Sequence, residues 1–336
     1  MKEKIKKFLK YNYKFIIIYI VLLSLVFIKL DYQIYTPGGL LDLNNKIEIN
    51  NSHQSKGSLN LTYVRGLKGN LLFILTSYIV PSWDLVKNED VRYEDETEND
   101  AYTRNRVYLD DVNKNAVYVA FSKLGYEVSL KEKGVSVLNI LTYAETDLKV
   151  GDVITSINNV KVYNTDELIN IISSLKKDQK VSFKVIRDSK EKECYAILKE
   201  NEGKTMVGVM IETETELKSI PEVKFKFKKN EMGPSGGLMT ALKIYDMLTS
   251  EDVTKGYKIS GTGTISKNGE VGEIGGIKYK LAGAVRNKSQ VFICPSENYD
   301  ECEKEKNKNK YNIILIKGDT FDNVLNKLKS LPYYDK

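Results

Sequence analysis

The chain has 336 residues, of which 42% are hydrophobic and 29% are charged, and its formal net charge is +6 at pH 7. This length allows two or three domains, and the composition is globular, so it forces no extended disorder. The positive charge is spread out apart from an N-terminal lysine cluster. No aromatic-interleaved basic patch and no zinc-ligand spacing occurs, so we expect no nucleic-acid partner, no metal and no cofactor.

Residues 1–14 contain six lysines and one acid, and residues 15–28 form a charge-free apolar run. Flanking aromatic residues and lysines extend this run enough to cross a membrane. No small-residue cleavage site follows, so the pattern favours an uncleaved signal anchor over a removed signal peptide. The lysine-rich side marks the cytoplasm. We therefore predict residues 1–31 as a cytoplasmic tail and single-pass anchor, with all later residues extracellular.

Residues 32–125 are predicted as an N-terminal extracellular α/β region. Residues 57–64 alternate like a strand, whereas residues 69–80 are apolar but too short to be a second span, and a proline follows them. We predict a buried or membrane-surface helix there. A charged solvated helix or linker is expected at 87–106, followed by a separate helix at 110–125.

Residues 126–200 combine several short strands with one helix, and residues 148–172 are close to the pattern of a PDZ domain. PDZ domains bind an extended peptide as an added strand and hold its carboxylate with backbone amides. By position, that carboxylate loop would be Lys133, Gly134 and Val135. The alternative is a spacer that binds no chain terminus.

The last predicted domain, 205–332, is an α+β arrangement. Its predicted elements are strands at 206–213 and 221–227, a helix within 231–248, a hairpin around Gly269, a helix at 276–285, strands at 291–295 and 312–317, and a helix at 320–331.

Ser235 follows the Gly233–Pro234 turn at the start of the first of these helices, where free backbone N–H groups suit an oxyanion. A helix cap is the ordinary role of such a serine. The only histidine, His53, lies in a distant polar loop, so a Ser-His-Asp triad is not expected. A lysine that burial keeps partly neutral is the remaining common base, and Lys278 and Lys280 are the candidates.

Three segments carry a resemblance to the proteolytic domain of Lon proteases: GPSGG at 233–237, GTGTISKNGEVGEIGGIKYK at 261–280 and VFICPSEN at 291–298. The resemblance implies a Ser-Lys dyad in which Ser235 is the nucleophile and Lys280 the base, with Thr262 as a supporting residue near the lysine. Met232 departs from the family, which often has an acidic residue there. On a helix, Lys278 and Lys280 point about 200° apart, so only one can face the serine.

The full order of segments resembles membrane-anchored Lon-like proteases of Gram-positive bacteria. The expected fold class is α+β multidomain, with an N-terminal membrane helix, a small α/β region, a PDZ-like module and a C-terminal Lon-type proteolytic domain. The expected location is the bacterial cell membrane. Three scattered cysteines, Cys194, Cys294 and Cys302, argue against a disulfide framework, so we expect buried, unpaired thiols.

The predicted function is that of an ATP-independent membrane-anchored serine endopeptidase that cleaves extracytoplasmic peptides or unfolded protein segments. No GxxxxGK[ST] phosphate-binding loop occurs, so no use of ATP is expected. Homo-oligomers are possible partners, as are the lipid membrane and peptide substrates. The alternatives are a non-catalytic membrane-tethered PDZ adaptor and a protein that only processes itself.

Overall fold

The computed structural model describes residues 2–334 and has a mixed α/β architecture. The helices are α1 Lys2–Phe27, α2 Leu71–Ser77, α3 Glu98–Leu124, α4 Thr165–Ser173, α5 Gly237–Leu248, α6 Ile277–Arg286, α7 Tyr299–Asn309 and α8 Phe321–Lys329. The strands are β1 Lys29–Asp42, β2 Ile47–Ile49, β3 Ser58–Asn70, β4 Asp84–Lys87, β5 Glu127–Ile140, β6 Glu145–Thr146, β7 Val153–Ile157, β8 Val160–Lys161, β9 Lys180–Arg187, β10 Lys190–Ile197, β11 Lys199–Asn201, β12 Lys204–Met206, β13 Val209–Ile220, β14 Val223–Phe225, β15 Lys258–Gly261, β16 Val291–Pro295 and β17 Ile314–Gly318.

The N-terminal helix α1 is the one helix within residues 2–334 that is long and apolar enough to span a membrane. Its apolar stretch is not buried against the rest of the chain. The helix ends at Phe27, and β1 begins two residues later. The predicted N-terminal apolar helix is therefore present, and it leads directly into the folded part of the protein.

One sheet has the strand order β13-β5-β7-β9-β10-β6, with β8 paired to β7, and α4 packs beside it. The core between this sheet and α4 is built from buried apolar residues, including Val137, Ile154, Leu168 and Phe183. Helix α4 begins where the Asn164 side chain accepts a hydrogen bond from the Glu167 N–H, an ordinary helix cap. The edge strand β13 belongs to this sheet, although its sequence suggested the start of the last domain.

The sequence-based assignment of the carboxylate-binding loop to Lys133, Gly134 and Val135 is wrong. These residues lie inside β5, and Val135 pairs with Thr213 on one side and Ile154 on the other. Gly134 pairs with Glu214 on β13, so this stretch is strand and does not form an open loop of amides around a carboxylate. The assignment failed because β13, which covers β5, comes some 70 residues later in the chain and cannot be recognised from local sequence.

The second sheet has the strand order β17-β16-β15-β3-β1-β4. Strands β17, β16, β15 and β3 run parallel, whereas β1 is antiparallel to both β3 and β4. Strands from the predicted 32–125 region therefore share a sheet with strands from the predicted 205–332 domain. They also share one core, which includes Val112 and Phe121 on α3, Leu242 on α5 and Phe321 on α8.

Helix α3 is continuous, where the sequence suggested a charged segment and a separate second helix. The Thr97 side chain accepts from the Asp100 N–H at its start, and Gly125 ends it with φ 74°. Glu98 and Asp110 are exposed on its N-terminal half, while Val112 and Ala116 face the core. The change in composition along α3 thus reflects how deeply each turn is buried and does not mark a break in the helix.

The predicted hairpin around Gly269 forms a chain reversal without regular strands. Thr264 N–H donates to Gly272 O over 3.4 Å, and Ser266 N–H donates to Glu270 O over 3.0 Å. Glu270 also forms an isolated bridge to Thr320. Too few ladder bonds form here to make strands.

The expectation of unpaired cysteines is wrong for two of the three. Cys294, in β16, and Cys302, on α7, form a disulfide, with their Cα atoms 6.8 Å apart. The sequence did not indicate that the charged segment 299–309 would fold as a helix that places Cys302 beside Cys294 of β16. Cys194 is buried and free, as expected.

Candidate active site

The serine turn precedes helix α5, whose N-cap is Gly236 and not Ser235. Ser235 is half-buried, and within residues 2–334 its hydroxyl makes no capping hydrogen bond. A Cβ at Gly237 would overlap Val112 and Ile265, so only glycine lets α5 pack this closely. The ordinary role of a serine at this position, capping the helix, is therefore not the role of Ser235.

Residues of helix α3 form hydrogen bonds with the serine turn. Gly233, at φ 97°, donates its N–H to Asn105 O over 3.1 Å, and Arg106 contacts the Glu231 carbonyl at 3.5 Å. The Glu231 carboxylate binds the Lys46 ammonium at 2.8 Å. This acid is therefore paired with a lysine of the N-terminal region.

Lys280 lies on α6 with only 4% of its surface exposed. The helix begins after Gly276, whose φ of 78° and closeness to Val64 both require glycine. The Lys280 Nζ donates to Thr262 Oγ1 over 3.0 Å, and no carboxylate among the described residues pairs with it. Burial lowers the pKa of Lys280 from 10.5 to about 8, because the ammonium form loses hydration.

Thr262 connects the lysine to the serine turn. Its fully buried hydroxyl accepts from Lys280 and donates to the Ser235 carbonyl over 3.0 Å. Gly263 N–H also donates to this carbonyl, over 2.8 Å. The fold thus brings Ser235, Thr262 and Lys280 into one cluster, although Lys280 and the Ser235 hydroxyl share no direct hydrogen bond in the described part of the chain.

Lys278, the other candidate base, points away from the cluster. Its side chain is 30% exposed, and its Nζ binds the Asp84 carboxylate at 2.6 Å. Tyr279 donates its hydroxyl to the same carboxylate. Partial burial raises the pKa of Asp84, but these two hydrogen bonds outweigh burial and hold it below its usual range. Lys278 is therefore engaged with Asp84 and does not contact the serine turn.

Two backbone N–H groups beside the serine are available to bind an oxyanion. Pro234 has no N–H, but those of Ser235 and Gly236 donate to no acceptor within residues 2–334. They precede the first turn of α5, where the positive end of the helix dipole lies. Such a pair of donors can stabilise the negative charge of a tetrahedral intermediate.

Asn298 has a positioning role that the sequence did not reveal. Its Oδ1 accepts from Ile274 N–H over 2.9 Å, and its Nδ2 donates to Ile274 O over 3.1 Å. Ile274 is two residues before Gly276, where α6 begins, and the Cys294–Cys302 disulfide closes the loop that carries Asn298. The motif VFICPSEN contains this asparagine, but its partner can be found only in the folded chain.

Residues 2–334 contain no group of three or more histidine, cysteine or acidic side chains that could hold a metal ion.

Two family models match the chain. Residues 122–198 match the PDZ domain, and residues 227–330 match the Lon protease (S16) C-terminal proteolytic domain. The chain carries a PDZ domain and a Lon-type proteolytic domain. The predicted α+β fold class, with an apolar N-terminal helix followed by these two domains in this order, is thereby confirmed. A Lon-type proteolytic domain indicates a serine peptidase.

The curated relatives include the Lon protease of Haemophilus influenzae, which is 33% identical over 93 residues, and that of Wolbachia pipientis, which is 31% identical over 93 residues. Each match covers 28% of this chain and 11% of the relative. The chain therefore matches about a tenth of the length of these Lon proteases.

Similar solved structures include PDZ domains of SdrC-like proteins from two Listeria species. The Listeria monocytogenes domain is 23% identical, with coverage of 24% of this chain and 87% of that chain at a TM-score of 0.22. The Listeria innocua domain is 27% identical, with coverage of 23% and 92% at a TM-score of 0.22.

Proposed function

We propose that this protein is an ATP-independent, membrane-anchored serine endopeptidase whose Lon-type domain works with a Ser235–Lys280 dyad. The observation that carries the proposal is the burial of Lys280 with no carboxylate partner among residues 2–334. A pKa of about 8 leaves an appreciable fraction of this lysine neutral at physiological pH. A neutral lysine beside a serine turn is a competent general base.

In the proposed reaction, neutral Lys280 takes the proton of the Ser235 hydroxyl as the serine oxygen attacks a peptide carbonyl. The N–H groups of Ser235 and Gly236 stabilise the oxyanion that forms. The Lys280 ammonium then donates its proton to the leaving amine, and water hydrolyses the acyl-enzyme. Thr262 supports both partners by holding Lys280 Nζ and the Ser235 carbonyl.

An extracytoplasmic location for the folded domains is part of this proposal. The apolar helix α1 and the lysines before it support an anchor with its N-terminus in the cytoplasm. The Cys294–Cys302 disulfide supports the same topology, because such bonds persist mainly in oxidising compartments. Substrates would then be extracytoplasmic peptides or unfolded protein segments.

We also propose that the PDZ domain binds peptide segments along strand β13. This strand is paired on one side only and forms the edge of its sheet. Helix α4 begins beside it, where Thr165 N–H donates to Thr213 Oγ1 over 3.1 Å. An edge strand next to a helix is the arrangement to which a peptide adds as a further strand.

Cleavage of casein by the full chain in lipid nanodiscs, without ATP, tests the dyad. We expect Ser235→Ala and Lys280→Ala to lower the rate roughly 1,000-fold or more, as loss of a nucleophile or its base does. Lys278→Ala is the matched control. We expect its cleavage rate to stay within about tenfold of that of the unsubstituted chain, because Lys278 binds Asp84 and does not face the serine.

A result in which the unsubstituted chain cuts nothing at pH 9, where Lys280 is mostly neutral, would favour the PDZ adaptor instead. Burial of an ammonium with one neutral partner speaks against that alternative, since it destabilises a fold that makes no use of it. Mass measurement of the purified chain would reveal a protein that only processes itself.

A further inference from the structure

An exposed apolar surface lies on residues 71–83, which we call the apolar segment. Leu75, Tyr78 and Ile79 are 49%, 78% and 80% exposed, and they lie within five positions of each other. Single exposed apolar residues are normal on a protein surface, but a contiguous group marks an interaction site. Ile74, by contrast, is buried and attaches the segment to the domain.

This segment lies where the apolar N-terminal helix enters the folded domain. The Leu71 N–H donates to Ile28 O over 3.1 Å, and Lys29 pairs with Asn70 at the ends of β1 and β3. Helix α2 also packs against α1. Whatever environment surrounds the last turn of α1 therefore also surrounds the apolar segment.

Exposed apolar residues also lie at the end of α1 and the start of β1. Phe27, Ile28 and Leu30 are all exposed, and the Ile28 carbonyl accepts the Leu71 N–H at the start of α2. A helix that spans a bilayer ends in its interfacial layer, where aromatic residues with a polar group prefer to lie. Tyr78 is such a residue.

We propose that the apolar segment inserts into the outer interfacial layer of the bilayer that α1 crosses. The partner is the lipid surface itself, and the inference rests on the membrane anchoring proposed above. A single helix would leave the ectodomain free to tilt, whereas a second contact fixes one face of the domain toward the lipid.

The position of the apolar segment also brings the candidate active site close to the membrane. Asp84 follows Trp83 directly, and its carboxylate binds Lys278 and Tyr279 on the same helix that carries Lys280. The helix of the proposed base is thus attached to the lipid-facing segment. Substrates would be extracytoplasmic segments close to the membrane surface.

Trp83 is the only tryptophan of the sequence and reports directly on this segment. Its ring packs against Phe73 at 6.1 Å between centroids. The experiment reconstitutes the full chain in phosphatidylcholine liposomes with bromine atoms at a shallow acyl position. We expect Trp83 fluorescence to fall about twofold or more relative to unbrominated liposomes.

Substitutions separate insertion from mere proximity. The double variant Tyr78→Ser with Ile79→Ser should reduce the quenching of Trp83 to half or less, because the segment loses two apolar side chains that would insert. Both side chains are exposed, so their replacement leaves the core intact. The matched control is Tyr143→Ser with Tyr163→Ser, two exposed residues of the PDZ domain, which should leave the quenching unchanged.

Flotation of the same liposomes distinguishes failure of the anchor from failure of this inference. A chain that does not float with lipid overturns the anchor and the inference together. A chain that floats while its Trp83 is not quenched overturns the inference alone. If Trp83 is not quenched and the Tyr78→Ser, Ile79→Ser variant dissociates a dimer, the surface is a contact between two copies. The casein assay in detergent tests catalysis independently of all three outcomes.

Discussion

Lys280 illustrates how one buried ionisable group links stability to the proposed chemistry. Its ammonium loses hydration on burial and gains a single neutral partner among residues 2–334, the Thr262 hydroxyl. Lys278, two positions earlier, binds Asp84 and stays partly exposed. The two lysines have the same chemistry and different environments, and the environment decides which of them can act as a base.

Replacement of Lys280 by methionine should stabilise the protein at neutral pH. Between about pH 8 and 10.5 the unfolded chain binds more protons at this lysine than the folded chain does, so stability rises with pH through that window. Below it, the charged lysine costs roughly 3 kcal/mol. We expect Lys280→Met to raise the free energy of unfolding by up to that amount at pH 7 and by little at pH 10.5, measured by urea denaturation.

The Lys278→Met variant is the control for this measurement. It loses the ion pair with Asp84, so it should gain no stability at pH 7. A Lys280→Met variant with the same small effect at both pH values would show that burial does not depress the lysine pKa.

At the scale of elements, the position of α6 depends on the loop between β16 and α7. Asn298 fixes Ile274 through two backbone hydrogen bonds, and the disulfide closes the loop on both sides of Asn298. Helix α6 then begins after its N-cap Gly276, with its lysine directed to Thr262. The loop contains no proposed catalytic group, yet it sets where the lysine helix begins.

Asn298→Ala should impair the proposed catalysis without removing a catalytic group. We expect kcat for peptide cleavage to fall about 10- to 100-fold with little change in KM, because small displacements of a base are costly. Stability should fall by about 1–3 kcal/mol, since the Ile274 backbone groups lose their partner. Asn309→Ala, on exposed α7, is the matched control with neither effect. An unchanged kcat would exclude the positioning role.

Loss of the disulfide should destabilise the Lon-type domain. For a loop of this length, with a sequence separation of 8, chain entropy predicts a loss of roughly 2–3 kcal/mol. We expect the double variant Cys294→Ala with Cys302→Ala to show this loss in denaturation experiments. Cys194→Ala, which removes the buried free thiol of the PDZ domain, is the control. Reductant should change its stability by the same amount as it changes the stability of the unsubstituted chain. Equal stability with and without the pair would show that the thiols are not bonded in solution.

At the scale of the whole molecule, the PDZ domain interrupts a folding unit that begins before it and ends after it. Strand β3 pairs with β15 in parallel, and α3 packs against α5 behind the serine turn. The last domain inferred from sequence is thus incomplete without residues that precede the PDZ domain.

Isolated fragments test this arrangement. We expect residues 205–332 alone to be unfolded or aggregated, because they lack β1, β3 and α3 and would expose the core face of α5. Residues 122–220 should fold as an independent PDZ domain, and residues 126–200 should be less stable because they lack β13. Circular dichroism melts and amide NMR dispersion measure both. A cooperatively folded 205–332 fragment would contradict the shared core.

The sequence alone determined the features that depend only on residues close together in the chain. The apolar run of α1, the glycine-rich serine turn, the strand VFICP and the closing helix α8 are readable because spacing and residue type are enough to specify them. The motifs also placed the PDZ and Lon-type domains in order.

Tertiary structure alone decided the features that join distant segments. These are the pairing of β3 with β15, the addition of β13 to the PDZ sheet, the Cys294–Cys302 disulfide and the Asn298 contact with Ile274. Strand partners and burial depend on contacts between residues far apart in the chain, and no local pattern encodes them. The lowered pKa of Lys280 is of the same kind, because it arises from the side chains that surround the lysine in the folded protein.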